Sequence, residues 1–276
     1  MKPQFLNISR VSAEMYKETK HNIEISSITR IFILAVLGGT FITFGALFSV
    51  LISAGVETLG TKLLLQGLGF SVGFFIVIMT GALLFSETNV VLPTSILNCS
   101  RKELLLNVFK FWGVTIIGNV TGAVVVGWLI SFAHVYPDDV QTELFHLIEK
   151  KMHYAEIGTS LSWFKALISG MFGNMLIGIA AILALMGRTI IGKYIPVFLS
   201  VSLFVAANFQ HSPANMGYFS IAIPMGQGTA WADALLWNIL PAAIGNILGG
   251  TLLVALPLYY VFAEKNEMQE ESNDEL

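Results

Sequence analysis

His211 is the residue that most needs explaining. It lies in Asn208-Phe209-Gln210-His211-Ser212-Pro213, a polar interruption of an otherwise apolar stretch. An imidazole exchanges its proton near neutral pH, and its two nitrogens also serve as plain hydrogen-bond partners. An ionisable group in such a stretch is costly and usually faces a protein interior or a cavity. Two chemistries are open to it: handing on a proton, or donating a hydrogen bond to an anion. The plainer role is a helix-breaking histidine that satisfies freed backbone groups. The company of Gln210, Ser212 and Asn215 in and beside the same break favours a functional role.

Other polar side chains accompany it. Asn174 and Asn215 are amides in separate apolar segments, where each either ties helices together or offers donors to an anion. Lys193 follows Gly192 at a segment end; it snorkels to the interface or concentrates anions at a pore mouth. A second polar run, Ser86-Glu87-Thr88-Asn89, interrupts another apolar stretch. There Ser86 and Thr88 are suited to capping a helix, and Glu87 is expected in a solvated loop. His134, His146 and His153 lack metal-ligand spacing and a cysteine partner, so no metal site is expected. No Walker loop, dinucleotide fingerprint or Ser–His–acid set is visible, so neither a cofactor nor catalysis is expected.

Composition says what must position these residues. Of 276 residues, 55% are hydrophobic and 12% charged, against about 25% charged in a soluble domain. Mean hydropathy is +0.73. A net charge of −3 without a basic stripe speaks against a nucleic-acid partner. The single Cys99 rules out an internal disulfide. A multi-pass, all-α integral membrane protein in contact with lipid is expected, with no secretory signal to remove.

Six apolar spans are legible: 31–55, 63–97, 104–133, 163–187, 194–223 and 234–262. Roughly 20 residues suffice to cross a bilayer, so the second and fifth are too long for one straight helix. Their polar runs mark the breaks, with Pro213 removing a backbone donor in the fifth. Irregular backbone at membrane depth is tolerated only in protein or around a wet cavity, which makes the two breaks the pointers to a site. Lys2, Arg10, Lys17, Lys20, Arg30, Arg101, Lys102, Lys110, Arg188, Lys193 and Lys265 collect on one side, against Lys62, Lys150, Lys151 and Lys165 on the other. The richer side, with both termini, is expected to be cytoplasmic. Three parts follow: a cytoplasmic N-terminal segment 1–28, a transmembrane domain 29–263 and an acidic cytoplasmic tail 264–276. Residues 8–28 read equally as an amphipathic helix or a loose segment. The stretch 134–162 is the longest external connection and mildly acidic.

The chain also repeats itself. Ile117-Gly118-Asn119-Val120-Thr121-Gly122 in the third span and Ile244-Gly245-Asn246-Ile247-Leu248-Gly249 in the sixth both read Ile-Gly-Asn-x-x-Gly. The broken spans occupy matching places in the two halves. Three spans per half require the halves to be inverted, an architecture that aims half-helix N-termini toward the midplane. The glycines alone are accounted for by close helix packing; the matched breaks and buried asparagines point beyond it.

These residues resemble the formate/nitrite transporter family. Phe204-Val205-Ala206-Ala207-Asn208-Phe209-Gln210-His211-Ser212-Pro213-Ala214-Asn215-Met216 is similar to its fifth-span signature, F-E-H-S-x-A-N-M. Gly81-Ala82-Leu83-Leu84-Phe85-Ser86 resembles its second-span loop, G-A-[DE]-L-F-T, and Phe70-Ser71-Val72-Gly73-Phe74 the start of that span. Gly173-Asn174-Met175-Leu176, Gly192-Lys193 and Gly245-Asn246 also fall in the family pattern, and the likeness runs over about residues 28–262.

The resemblance implies an aquaporin-like fold of six transmembrane helices with inverted repeats and two broken helices. It implies a homopentamer with one pore per protomer, passing small monovalent anions such as formate, nitrite, hydrosulfide, acetate or lactate, with protons as companions. By the same resemblance His211, Asn215, Asn174, Ser86 and Lys193 line the substrate path. Phe70 and Phe204 form an outer constriction, and Phe74, Leu84 and Phe85 an inner one. Gln210 and Leu83 stand where the family commonly has acids, and Pro213 where it has a β-branched or similar residue. The family's outer lysine has no aligned counterpart; Lys150, Lys151 and Lys165 are the nearby cations, with no basis for choosing among them. Competing readings are an aquaporin-type channel for water or neutral solutes, disfavoured because paired Asn-Pro-Ala motifs are absent, an intramembrane enzyme, and a non-transporting sensor or scaffold.

Overall fold

The computed structural model describes residues 5–11, 15, 27–91, 93 and 102–262, with the backbone alone for 102–105. Apart from an isolated bridge between Phe5 and Gly187, every regular element among them is helical. Most of the 8–28 segment and the acidic tail lie outside the described residues.

The first half comprises α1 (Ile28–Ser53), α2 (Leu59–Thr80), the short α3 (Phe85–Val91) and α4 (Lys102–Ala133). Helix α5 (Asp138–Ile157) connects the halves. The second half comprises α6 (Ser160–Met186), α7 (Ile190–Ala206), α8 (Ser212–Ala222) and α9 (Trp231–Phe262). Five of these helices are long and apolar enough to span a bilayer: α1, α2, α6, α9 and residues 106–133 of α4. The remaining span, the fifth in chain order, is made by α7 with α8. Side chains such as Phe44, Leu129, Phe172 and Leu199 point outward, which is stable against hydrocarbon and costly against water.

Local chemistry sets the ends. Ser27 accepts the Arg30 N–H to start α1, and Thr159 and Ser162 form a reciprocal capping box at α6. Helix α2 stops at Gly81, whose φ of 68° is open to glycine at little cost. The second-span break is therefore at residues 81–84, not at Ser86-Glu87-Thr88-Asn89. That polar run is helical because α3 begins at Phe85, and Thr88 donates its hydroxyl to the Phe85 carbonyl within the turn. Ser86 makes no capping bond, and Glu87 sits on α3, half-buried, rather than in a solvated loop. In the fifth span the break comprises residues 207–211, with Asn208 at φ 51°. Pro213 lies in the first turn of α8, where a missing N–H costs nothing, so it starts a helix rather than breaking one. The connection 134–162 is likewise mostly helix. Val140, Leu144, Leu147, Ile148 and Met152 give α5 one buried stripe.

The inverted repeat is visible in the packing. Helix α1 packs on α2 and α4, and α6 packs on α7 and α9. Each half-helix crosses into the opposite repeat: α8 rests on α1 and α4, and α3 on α6 and α9. The repeated glycines serve the same contacts. A Cβ on Gly122 would strike the Val36 carbonyl of α1, and one on Gly249 the Met171 carbonyl of α6.

Candidate functional site

The site is built around the starts of the two half-helices. A helix start leaves backbone N–H groups without partners, and here the repeated asparagines supply them. Asn119 of α4 accepts the Phe85 N–H at 2.8 Å through Oδ1 and donates through Nδ2 to the carbonyls of Ala35 and Leu83. Asn246 of α9 accepts both the N–H and the hydroxyl of Ser212 at 2.9 Å, and donates to the carbonyls of Gly170 and Gln210. The Ile-Gly-Asn-x-x-Gly repeat is thus a pair of clamps, each fixing a break to its own repeat. Leu84 and His211, the residues just before the two half-helices, hold equivalent places. One is apolar and the other an imidazole.

His211 is fully buried, and neither ring nitrogen has a hydrogen-bond partner. Its ring centroid lies 5.4 Å from that of Phe204. Phe204 meets Phe70 edge-on at 5.9 Å, and Phe70 stacks on Tyr218 at the same separation. On the α5 side of these rings is a cavity of about 40 Å³ touching Gln66, Lys151, Phe204, Asn208 and Tyr218. On the other side is a cavity of about 240 Å³ touching Val77, Leu83, Glu87, Thr88, Phe111 and Lys193. His211 lines neither; it is buried beside Phe204. Phe74 and Leu84 are fully buried in the same apolar cluster as Phe70 and Phe204. Phe85 stands apart, in a second cluster with its ring against Trp112 of α4.

Asn174 donates through Nδ2 to the carbonyls of Ser86 and Asn246, and so ties α3 to α9 across α6. Asn215 donates to Gln210 Oε1 at 2.8 Å and to Asn238 Oδ1 at 2.7 Å. Both NH₂ groups are engaged, which is the tying role; the carbonyl oxygens of both amides are left unpartnered, as is the Ser86 hydroxyl. A cluster of unsatisfied polar atoms in an apolar interior is costly unless a mobile guest meets it. Lys193 lies half-buried at the rim of the larger cavity.

Several site residues escaped the sequence. Lys151 is buried on α5, donates to Asn208 Oδ1 at 3.3 Å, and is pushed down to about 7 by loss of water around its ammonium. Of Lys150, Lys151 and Lys165 it alone turns inward; Lys150 and Lys165 are exposed. Asn238 donates to the Lys151 carbonyl at 2.8 Å and to Gln210 Oε1 at 2.9 Å. It lies in a π-helical stretch of α9, Leu235–Ile239, and such bulges recur at functional positions. The signals were a second amide in the sixth span, eight residues before Asn246, and the placing of Lys151 four and seven residues after Leu147 and Leu144.

The formate/nitrite transporter family model matches residues 8–260. A probable formate transporter of Methanothermobacter thermautotrophicus is 27% identical over 249 residues, 86% of this chain and 90% of that one. Formate channel FocA of Escherichia coli (strain K12) is 27% identical over 92% of each chain. The uncharacterized transporter YrhG of Bacillus subtilis (strain 168) is 30% identical over 87% of each. Among solved structures, a chain titled FNT family ion channel superposes with a TM-score of 0.76 at 19% identity, covering 92% of this chain and 98% of that one. A pentameric formate channel with formate bound gives 0.68 at 22% identity, covering 86% and 98%. These likenesses agree with the aquaporin-like fold, and relatives that are transporters and channels leave no place for the enzyme reading. With two broken helices meeting in an apolar interior and the family model spanning nearly all of it, this multi-pass membrane protein belongs to the formate/nitrite transporter family.

Proposed function

We propose that the chain is a channel or transporter for small monovalent anions of weak acids, in the class of formate, nitrite, hydrosulfide, acetate or lactate. The observation that carries this reading is the fully buried His211 with both nitrogens unpartnered, beside the Phe70–Phe204 pair. A bare anion pays several kcal/mol or more to enter an apolar slit. A neutral imidazole donates one hydrogen bond to it, and the same low-dielectric setting raises the anion's affinity for a proton. Permeation is proton-assisted: the guest gains a proton, or a charge-assisted hydrogen bond, only while it passes His211. The α8 N-terminus contributes mainly its dipole, since the Ser212 N–H is held by Asn246 and Pro213 has none. Lys151 on one side and Lys193 on the other concentrate anions at the two mouths.

The working assembly is a homopentamer with one path per protomer, as in the relative titled a pentameric formate channel. The N-terminal segment 1–28 and the tail 264–276 are cytoplasmic, so the α5 side faces outward across the plasma membrane. Stopped-flow uptake into proteoliposomes tests the reading. Formate, nitrite, hydrosulfide and lactate are compared with glycerol from pH 5 to 8. Faster anion uptake at lower pH, with no glycerol flux, is expected. Glycerol flux without anion flux would replace the reading with a neutral-solute channel.

A further inference from the structure

Helix α5 carries a second buried charged group besides Lys151. Glu143 is 5% exposed. Its Oε2 accepts from Lys62 Nζ of α2 at 2.7 Å, and its Oε1 accepts from Gln66 Nε2 at 2.8 Å. Gln66 lines the smaller cavity, and so does Leu147, one helical turn along the same face of α5. Lys151 follows a further turn on. Eight residues of α-helix put the Glu143 and Lys151 backbones roughly 12 Å apart. Lys151 lines this vestibule itself, and the Lys62–Glu143 pair adjoins it through Gln66, so two partly or wholly buried lysines and one buried carboxylate act on it. Lys150 also touches the cavity but is exposed, so the high dielectric of water weakens its field, and its charge is the same in every variant compared below.

A strut between α5 and α2 needs no charge. Buried ion pairs contribute little net stability over apolar packing of similar volume. What the pair does to the field is more definite. Glu143 cancels Lys62, so the cavity meets the charge of one inward lysine instead of two. Attraction scales with the product of charges. Against a single cation a monovalent anion is drawn in and can leave, whereas two uncompensated cations would hold a divalent anion far more strongly.

Resting on the anion-passage reading, we propose that Glu143 is a specificity-determining residue. By neutralising Lys62 it holds the α5-side vestibule to one net cation, and so favours monovalent over divalent anions.

The test uses full-length protein in vesicles of zwitterionic lipid at pH 6, where Lys151 carries its proton, with initial rates of formate uptake and sulfate as competitor. Glu143→Gln leaves Lys62 uncompensated. It is expected to lower the formate KM several-fold at about 20 mM ionic strength, and to make sulfate an inhibitor where the native protein ignores it. Lys62→Met leaves the carboxylate uncompensated and is expected to raise KM about tenfold, as for one charge acting over some 10 Å at an effective dielectric near 20. The double variant Lys62→Met/Glu143→Gln returns KM to within about twofold of native, since the net charge is restored. The spread among the four values narrows at about 0.5 M salt without vanishing, because charges this buried are screened only in part. A plain strut would instead lower the maximal rate by one factor at both salt levels and leave KM and sulfate sensitivity alone; that result overturns the proposal. Should Lys62→Met fail to fold, Glu143→Gln and the double variant decide by the same two readings. A native protein that carries none of the anions overturns the anion-passage reading, and this proposal with it.

Discussion

An imidazole sealed beside Phe204 has no hydrogen-bond partner among the described residues, which on the proposed reading leaves it free for a passing anion. Lys151 differs, because it keeps a partner in Asn208 and stands at the mouth. Burial lowers it to about 7, so it is cationic below that pH and neutral above. Anion uptake through native protein should therefore fall in a step as pH rises through about 7, beyond the steady decline expected from loss of the neutral acid. Lys151→Met should remove the step, and Lys151→Arg should keep uptake high at pH 8, because arginine stays charged; uptake against pH for the three proteins checks this. The groups facing that ammonium include Asn208, Gln66 and Tyr218 around the cavity and Glu143 along α5. The linked effect on stability has the opposite sense. An unfolded lysine holds its proton to about 10.5, so the cost of burial is full below pH 7 and fades as pH rises between the two values. Sequence alone made His211 legible, since a lone histidine inside an apolar run has few ordinary explanations. Lys151 was hard to tell from Lys150, because its spacing after Leu144 and Leu147 is a signal only once 138–157 is known to be a helix. The charge on Glu143 was hidden likewise, its partner lying on α2.

Half-helices this short do not persist alone; even an isolated helix of ~12–15 residues is marginal in water. Helices α3 and α8, with 7 and 11 residues, depend on clamps from the long spans. Asn246→Ala would strand the Ser212 N–H and hydroxyl and the Gly170 and Gln210 carbonyls. It should destabilise the protein by at least about 2 kcal/mol, read as a lower unfolding midpoint in detergent, and Asn119→Ala should do nearly the same. Gly122→Ala drives a methyl into the α1 backbone and should cost about 1–3 kcal/mol by overpacking, against a near-neutral Gly60→Ala at an open position. The spans, the inverted repeat and the presence of two breaks were legible from apolar length and from Ile-Gly-Asn-x-x-Gly. The position of the first break was not. Polarity in Ser86-Glu87-Thr88-Asn89 marks groups that need partners, whereas the chain turns at Gly81, where φ must be positive. The helical character of α5 was missed because its stripe of Val140, Leu144, Leu147 and Ile148 is diluted by acids and lysines on the solvent face.

At the scale of the molecule, two cavities of unequal size flank a closed, apolar middle, and on the proposed reading selection takes place there. Positive residues are gathered on the Lys193 side, so protease added to inside-out vesicles should remove the acidic tail, and protease added to right-side-out vesicles should leave it intact. The most direct measurement of the central claim is formate flux in proteoliposomes for native protein and His211→Phe, with equal amounts of assembled protein in each. Loss of a hydrogen bond to a charged guest is worth about 1.5–3 kcal/mol, or roughly 10- to 100-fold in rate. The account predicts a fall of that size, together with a flattened dependence on pH. Native rates and an unaltered pH profile in His211→Phe would contradict it.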